Sequence, residues 1–156
     1  MELSPDWEFV ADTVMGGVST GQLRAMTVAG REAMRLTGHV SLENDGGFVQ
    51  MAADLGGSGG VLDASEFMGV EIDVIGDGQS YDLRLRTNDL SRPWQSYRVA
   101  FTATQDWQTL RFAFSEFERN KTDVPFDAGR LRRIGILAVG SEMQADVAIA
   151  DLRLYA

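Results

Sequence analysis

A clean alternation of apolar and polar positions runs from Met34 to Glu43. Met34, Leu36, Val40 and Leu42, with Gly38 between them, hold the even positions. Arg35, Thr37, His39, Ser41 and Glu43 hold the odd ones. A period of two marks a strand with one apolar and one polar face. Glu43-Asn44-Asp45-Gly46-Gly47 then stops the strand with residues that tolerate tight-turn backbone angles. Phe48 to Ala53 opens a second strand, so the stretch predicts a β-hairpin.

The same period recurs along the chain. Val70, Ile72 and Val74 alternate with Glu71 and Asp73 before the Gly76-Asp77-Gly78 turn. Tyr81, Leu83 and Leu85 alternate with Asp82, Arg84, Arg86 and Asn88. Tyr97, Val99 and Phe101 form a third such set; Leu110, Phe112 and Phe114 share one face of a fourth. Gln22 to Val28 reads as a strand of mixed pattern, and Asp63 to Phe67 as one short helical turn. Ile134 to Val139 is continuously apolar, as expected for a central strand. Val147 and Ile149 are out of phase with Leu152 and Leu154, which predicts a bulge at Ala150-Asp151. No stretch sustains a 3.6-residue period. About ten short strands separated by turn signals predict an all-β sandwich formed by one domain over residues 1–156.

Composition narrows the partners. The net charge of −9 argues against nucleic acid, which needs a basic surface to displace counterions. With no cysteine and one histidine, thiolate chemistry, disulfides and multi-histidine metal sites are excluded. The first residues carry no signal-peptide pattern, and the longest uncharged apolar run, near Ile134–Gly140, is too short to span a bilayer. A cytoplasmic protein without an integral membrane segment is expected, and no cofactor or metal is called for.

Four stretches in order resemble the complex I intermediate-associated family, named for an assembly factor of NADH:ubiquinone oxidoreductase. They are Asp-x-Val-Met-Gly-Gly-x-Ser at 12–19, Gly-x-Val-Ser-Leu-Glu-Asn-x-Gly-Gly-Phe at 38–48, Asp-Gly-x-x-Tyr-x-Leu-x-Leu-Arg-Thr at 77–87, and Trp107 leading to Phe114 and Phe117. The resemblance implies a galactose-binding-like jelly roll, similar to some carbohydrate-binding modules, and a non-catalytic role in assembling membrane-bound electron-transfer complexes. The chain departs from the family pattern in three places. Ala113 stands where proline is usual, the 118–128 loop is short, and the last strand lacks Gly-x-Phe.

The candidate recognition face collects Arg84, Arg86 and Asn88 with His39 and Gln50, and places Trp94 at its rim. Arginine there could grip a carboxylate or carbonyls of a protein partner; a carbohydrate ligand is the alternative. The motif residues Asp12, Met15, Gly16, Gly17, Ser19, Asn44, Gly46, Gly47, Phe48, Asp77, Gly78 and Tyr81 are read as structural. In that reading the glycines set turns while Met15 and Phe48 plug the core. Gly56-Gly-Ser-Gly-Gly60 matches Gly-x-Ser-x-Gly, but a hydrolase elbow needs a strand before it and a helix after it. A structural calcium using Asp6 and Asp151 is a further reading carried by similar jelly rolls. The expectation is a binding domain and not an enzyme.

Overall fold

A computed structural model of the chain describes residues 1–57 and 60–156, with Asp45 described by its backbone alone. In chain order the strands are β1 (Glu2–Leu3), β2 (Glu8–Ala11), β3 (Thr20–Val28), β4 (Arg31–Val40), β5 (Phe48–Asp54) and β6 (Gly69–Gly76). β7 (Ser80–Thr87), β8 (Ser96–Thr102), β9 (Gln108–Ala113), β10 (Glu118–Asn120), β11 (Leu131–Val139) and β12 (Met143–Tyr155) follow. They form two antiparallel sheets. Sheet A runs β3-β4-β12-β6-β9, with β1 added to β12; sheet B runs β10-β8-β7-β11-β5-β2. Among the described residues no helix is long and apolar enough to cross a membrane.

The alternation sets the core. Leu36, Val40, Ile72, Val74, Val147 and Leu154 of sheet A face Val49, Met51, Leu83, Leu85, Ile134 and Ile136 of sheet B, all essentially without solvent contact. Each such side chain contributes about 1.5–3 kcal/mol through removal of apolar area from water. The bulge predicted near Ala150-Asp151 is present. The β12–β6 register shifts between Ile149 and Leu152, which keeps both apolar pairs on the inner face. A second shift on β11 lies between Leu131 and Arg133.

The predicted hairpin at 34–53 is instead an arch. β4 pairs with β3 and β12 in sheet A, whereas β5 pairs with β11 and β2 in sheet B. The amides of Gly47 and Phe48, which a hairpin would turn toward β4, donate to the Asp12 carboxylate. The chain therefore leaves the plane of one sheet and enters the other. Asp63–Phe67 is a turn closed by Phe67 N–H on the Ala64 carbonyl, without a helix.

Candidate functional site

The motif residues are held together by one carboxylate. Asp12 is fully buried beneath the short 3₁₀ turn Asp12–Met15. It accepts from Ser19 N (3.0 Å), Ser19 Oγ (2.5 Å), Gly47 N (2.5 Å) and Phe48 N (3.2 Å). Ser19 Oγ in turn accepts from Ser41 N at 2.8 Å. Burial pushes the Asp12 carboxyl up, but the bonds from Ser19, Gly47 and Phe48 outweigh it and hold it below the ordinary value. Gly17 and Gly46 are required by closeness to this group. A Cβ on either would stand 2.5 Å from a carboxylate atom of Asp12. Asn44 supplies a positive φ of 56° within the 41–47 loop, and Gly16 one of 87° after the turn.

Two assignments made for this region are corrected. Met15 does not plug the core; it is 61% exposed and stands out from the knot with Val14, Val18 and Leu42. Phe48 shares the parity of Gln50, so it lies half-buried on the outer face of sheet B, opposite Val139. The Asp77–Tyr81 motif is likewise tied together through a carboxylate. Asp77 Oδ1 accepts from Tyr81 Oη at 2.9 Å, and Tyr81 Oη accepts from Asp146 N at 2.9 Å. Burial first, and then Asp77, push the Tyr81 hydroxyl well above its usual range. Gly78 turns the chain with φ 87°.

The outer face of sheet B carries most of the candidate binding residues. Registers place Glu8, Ala52, Gly135, Arg84, Arg98 and Glu118 in one row across all six strands. The next row is Val10, Gln50, Leu137, Asp82 and Ala100. Small residues at 52, 100 and 135 leave a shallow trough, and the Gln50 amide lies over Gly135. Asp82, with its side chain only 6% exposed, is shared by two guanidiniums. Arg84 reaches it through Nε (3.1 Å) and Nη2 (2.9 Å), and Arg98 through Nε (2.9 Å) and Nη2 (2.8 Å). Burial opposes the Asp82 charge, but Arg98 and Arg84 hold its carboxyl below the usual range. Beside it lies a depression of about 340 Å³. Among the described residues, Nη1 of both arginines makes no hydrogen bond.

Arg86 continues this face and is bonded differently. Its Nε donates to the Gln95 carbonyl (3.0 Å) and its Nη2 to the Arg92 carbonyl (2.9 Å). It thereby fixes the 88–95 loop, on which Trp94 is 56% exposed. Asn88 follows β7 with its Oδ1 accepting from Arg132 at 3.3 Å. Arg84, Arg86, Asn88, Gln50 and Trp94 are thus brought to one side of the molecule. His39 is not. It lies on β4 in sheet A, where Nδ1 accepts from Gln144 Nε2 at 2.7 Å and Nε2 stands 3.4 Å from Glu142. The histidine and glutamate side chains are 41% and 66% exposed, so this pair sits at the surface and not in a deep pocket.

A family profile described as complex I intermediate-associated protein 30 (CIA30) matches residues 1–149. The chain belongs to the CIA30 family. No curated protein matches it. Among solved structures, the chain is similar to a Family 11 carbohydrate-binding module from Clostridium thermocellum in complex with a β-1,3-1,4-mixed-linked tetrasaccharide. The TM-score is 0.78 at 13% identity, covering 99% of this chain and 94% of that one. It is also similar to the Family 30 module of a Clostridium thermocellum cellulosomal cellulase, with TM-score 0.63 at 16% identity over 88% and 82% of the two chains. These likenesses describe the fold, a jelly-roll sandwich.

Within this CIA30 chain the sequence pattern missed Arg98, Arg132 and Arg133. Arg98 stands between Tyr97 and Val99 and looks like a solvated position; only the β7–β8 register reveals it as the partner of Arg84. Tyr97 turns inward, fully buried, with its hydroxyl on the Val124 and Pro125 carbonyls. Ser58, the central residue of Gly-x-Ser-x-Gly, lies outside the described residues. Among the described residues no group of three or more His, Asp or Glu could hold a metal ion. Asp151, proposed for calcium, pairs with Arg31 at 2.7 Å.

Proposed function

We propose that this CIA30 domain is a non-catalytic assembly factor that docks a protein partner, a subunit of a respiratory complex, on the outer face of sheet B. One observation carries the reading: Arg84 and Arg98 share a single carboxylate, Asp82, on that face, and Arg86 on the same strand as Arg84 donates to backbone carbonyls. Arg84 and Arg98 are held by two bonds each, which reduces the ordering cost of using their remaining donors. A partner carboxylate or carbonyl can therefore be met by arginines already in place. Trp94 at the rim offers the amphipathic, rigid side chain common at interface anchors.

A second reading is a carbohydrate on the same trough. It is favoured by the likeness to a module whose structure holds a mixed-linked tetrasaccharide. The protein reading is preferred because sugar rings are commonly held by stacked aromatics. Here Tyr97 is turned inward, leaving Trp94 and half-buried Phe48.

The test is capture of the tagged chain from detergent-solubilised membranes of the source organism, read by mass spectrometry. Arg84→Ala with Arg98→Ala serves as the face variant, its folding checked by thermal melting. Respiratory-complex subunits should co-purify with the unaltered chain and be lost with the variant. Equal capture by both would overturn the face assignment. Binding of a mixed-linked glucan with no subunit captured would favour the second reading.

A further inference from the structure

At the end of β7 and β11, away from the Asp12 knot, Arg86 and Arg132 lie close to Arg133 with no carboxylate partner of their own among the described residues. Arg86 on β7 lies directly opposite Arg133 on β11, a like-charge pair on one face. Arg133 is compensated by Asp54 (2.8 Å) and by Glu8. Arg86 is bonded only to the carbonyls of Gln95 and Arg92, among the described residues. The register shift between Leu131 and Arg133 admits Arg132 to the same corner, where its Nη1 donates to Asn88 Oδ1. Burial first, and then Arg132 and Arg133, make the charge on Arg86 costly and push its pKa down. A bound anion would offset both the burial and the repulsion. The chain as a whole carries −9, so this local excess runs against the net charge.

A second feature selects the anion. The loop that Arg86 fastens carries Trp94, and Gln95 Oε1 also accepts from Ser91 N (3.2 Å) and Arg92 N (3.0 Å). The exposed indole therefore stands on a braced loop that Arg86 fastens through the Arg92 and Gln95 carbonyls. Paired guanidiniums with an adjacent indole suit a carboxylate neighboured by an apolar side chain.

We propose that this corner is a carboxylate-recognition site for an acidic peptide segment of a partner. Arg86 and Arg132 take the carboxylates, and Trp94 packs on the apolar side chain between them. The proposal rests on the reading of sheet B as a docking face and names the chemistry of what docks there.

The test titrates the intact chain with an end-blocked peptide of alternating leucine and glutamate, at low and at moderate salt. Binding is followed by calorimetry and by tryptophan emission. Inorganic phosphate and the same peptide with lysine for glutamate are the controls. The acidic peptide should bind with a Kd of about 1 mM or tighter, weaken as salt rises, and shift the emission. The shift should vanish in Trp94→Phe. Arg132→Ala, which leaves the Arg86 loop contacts in place, should weaken binding about tenfold. Equal binding by the lysine peptide, unchanged affinity in Arg132→Ala, or phosphate binding without peptide binding would overturn the proposal. If subunits are captured through Arg84 and Arg98 while the acidic peptide fails to bind, the docking face stands and this site falls. Peptide binding without subunit capture gives the opposite division.

Discussion

On the outer face of sheet A, Arg31, Arg35, Arg111 and Arg153 meet Glu2, Glu71, Asp73, Asp146 and Asp151. Asp73 is the node. It receives Arg31 (3.1 Å), Arg153 (2.9 Å) and Thr109 Oγ1 (2.5 Å). Arg31 also stacks over Trp107 and Arg111 over Tyr155. Across the sandwich, at the centre of sheet B, three arginines share Asp82 and two backbone carbonyls. Both faces are rich in arginine, and the difference is the supply of carboxylates. Where acids match or exceed bases, the donors are consumed within the chain and the face contributes stability and solubility. Where they fall short, directed donors remain for another molecule. Arginine content along a strand therefore says little about binding until the cross-strand partners are counted.

The largest break in this comparison is expected from Asp73→Ala. It leaves two guanidiniums without their shared buried acid and should lower unfolding free energy by about 3 kcal/mol, read from denaturant midpoints. Capture of the partner should not change. Asp82→Ala on the other face should cost less, about 1–2 kcal/mol, because Asp82 holds two partners, Arg84 and Arg98, where Asp73 holds three, Arg31, Arg153 and Thr109. It should nevertheless reduce capture, since nothing would aim the two arginines.

Acid titration sharpens the contrast. The carboxyls of Asp12, Asp73 and Asp82 are all held below their ordinary values in the folded chain. Such groups stabilise the fold above the unfolded-state value of about 4, and that stability is lost as pH falls through the folded values. For Asp73, burial opposes the charge while Arg153, Thr109 and Arg31 outweigh it and place the carboxyl far below the usual range. Stability measured by denaturation should fall as pH drops below about 4. Asp73→Asn should flatten that fall more than Asp82→Asn. The smallest effect is expected for Arg35→Ala, whose pair with Asp146 is one-third exposed or more on each side. Its cost should stay below about 1 kcal/mol in the same denaturation experiment, with capture unchanged.

Much of this was legible in the alternation. β6, β7 and β8 were marked out by their period of two, and the out-of-phase pairs in β12 located its bulge. Period two reports which side of a strand is apolar, not which sheet it joins. That is why residues 34–53 read as a hairpin and why His39 was grouped with Arg84 although it lies in sheet A. The motif stretches at 12–19 and 38–48 stand out in the sequence, but that Asp12 ties them together could not be found by spacing. Its hydrogen bonds span 7 to 36 positions of sequence. Met15 followed the apolar rule to a wrong place: it ends a short turn whose buried residue is the carboxylate Asp12, and it is itself exposed. Arg98 and Arg132 were invisible until register set them beside Arg84 and Asn88.

The central claim is that partner docking uses the outer face of sheet B and spares that of sheet A. Arginine-selective chemical labelling of the chain, alone and in its captured complex, followed by peptide mass spectrometry, tests it most directly. The account predicts that Arg84, Arg86 and Arg98 become protected in the complex while Arg35 and Arg111 label as before. Protection of Arg35 and Arg111 with Arg84 and Arg98 still open would contradict it.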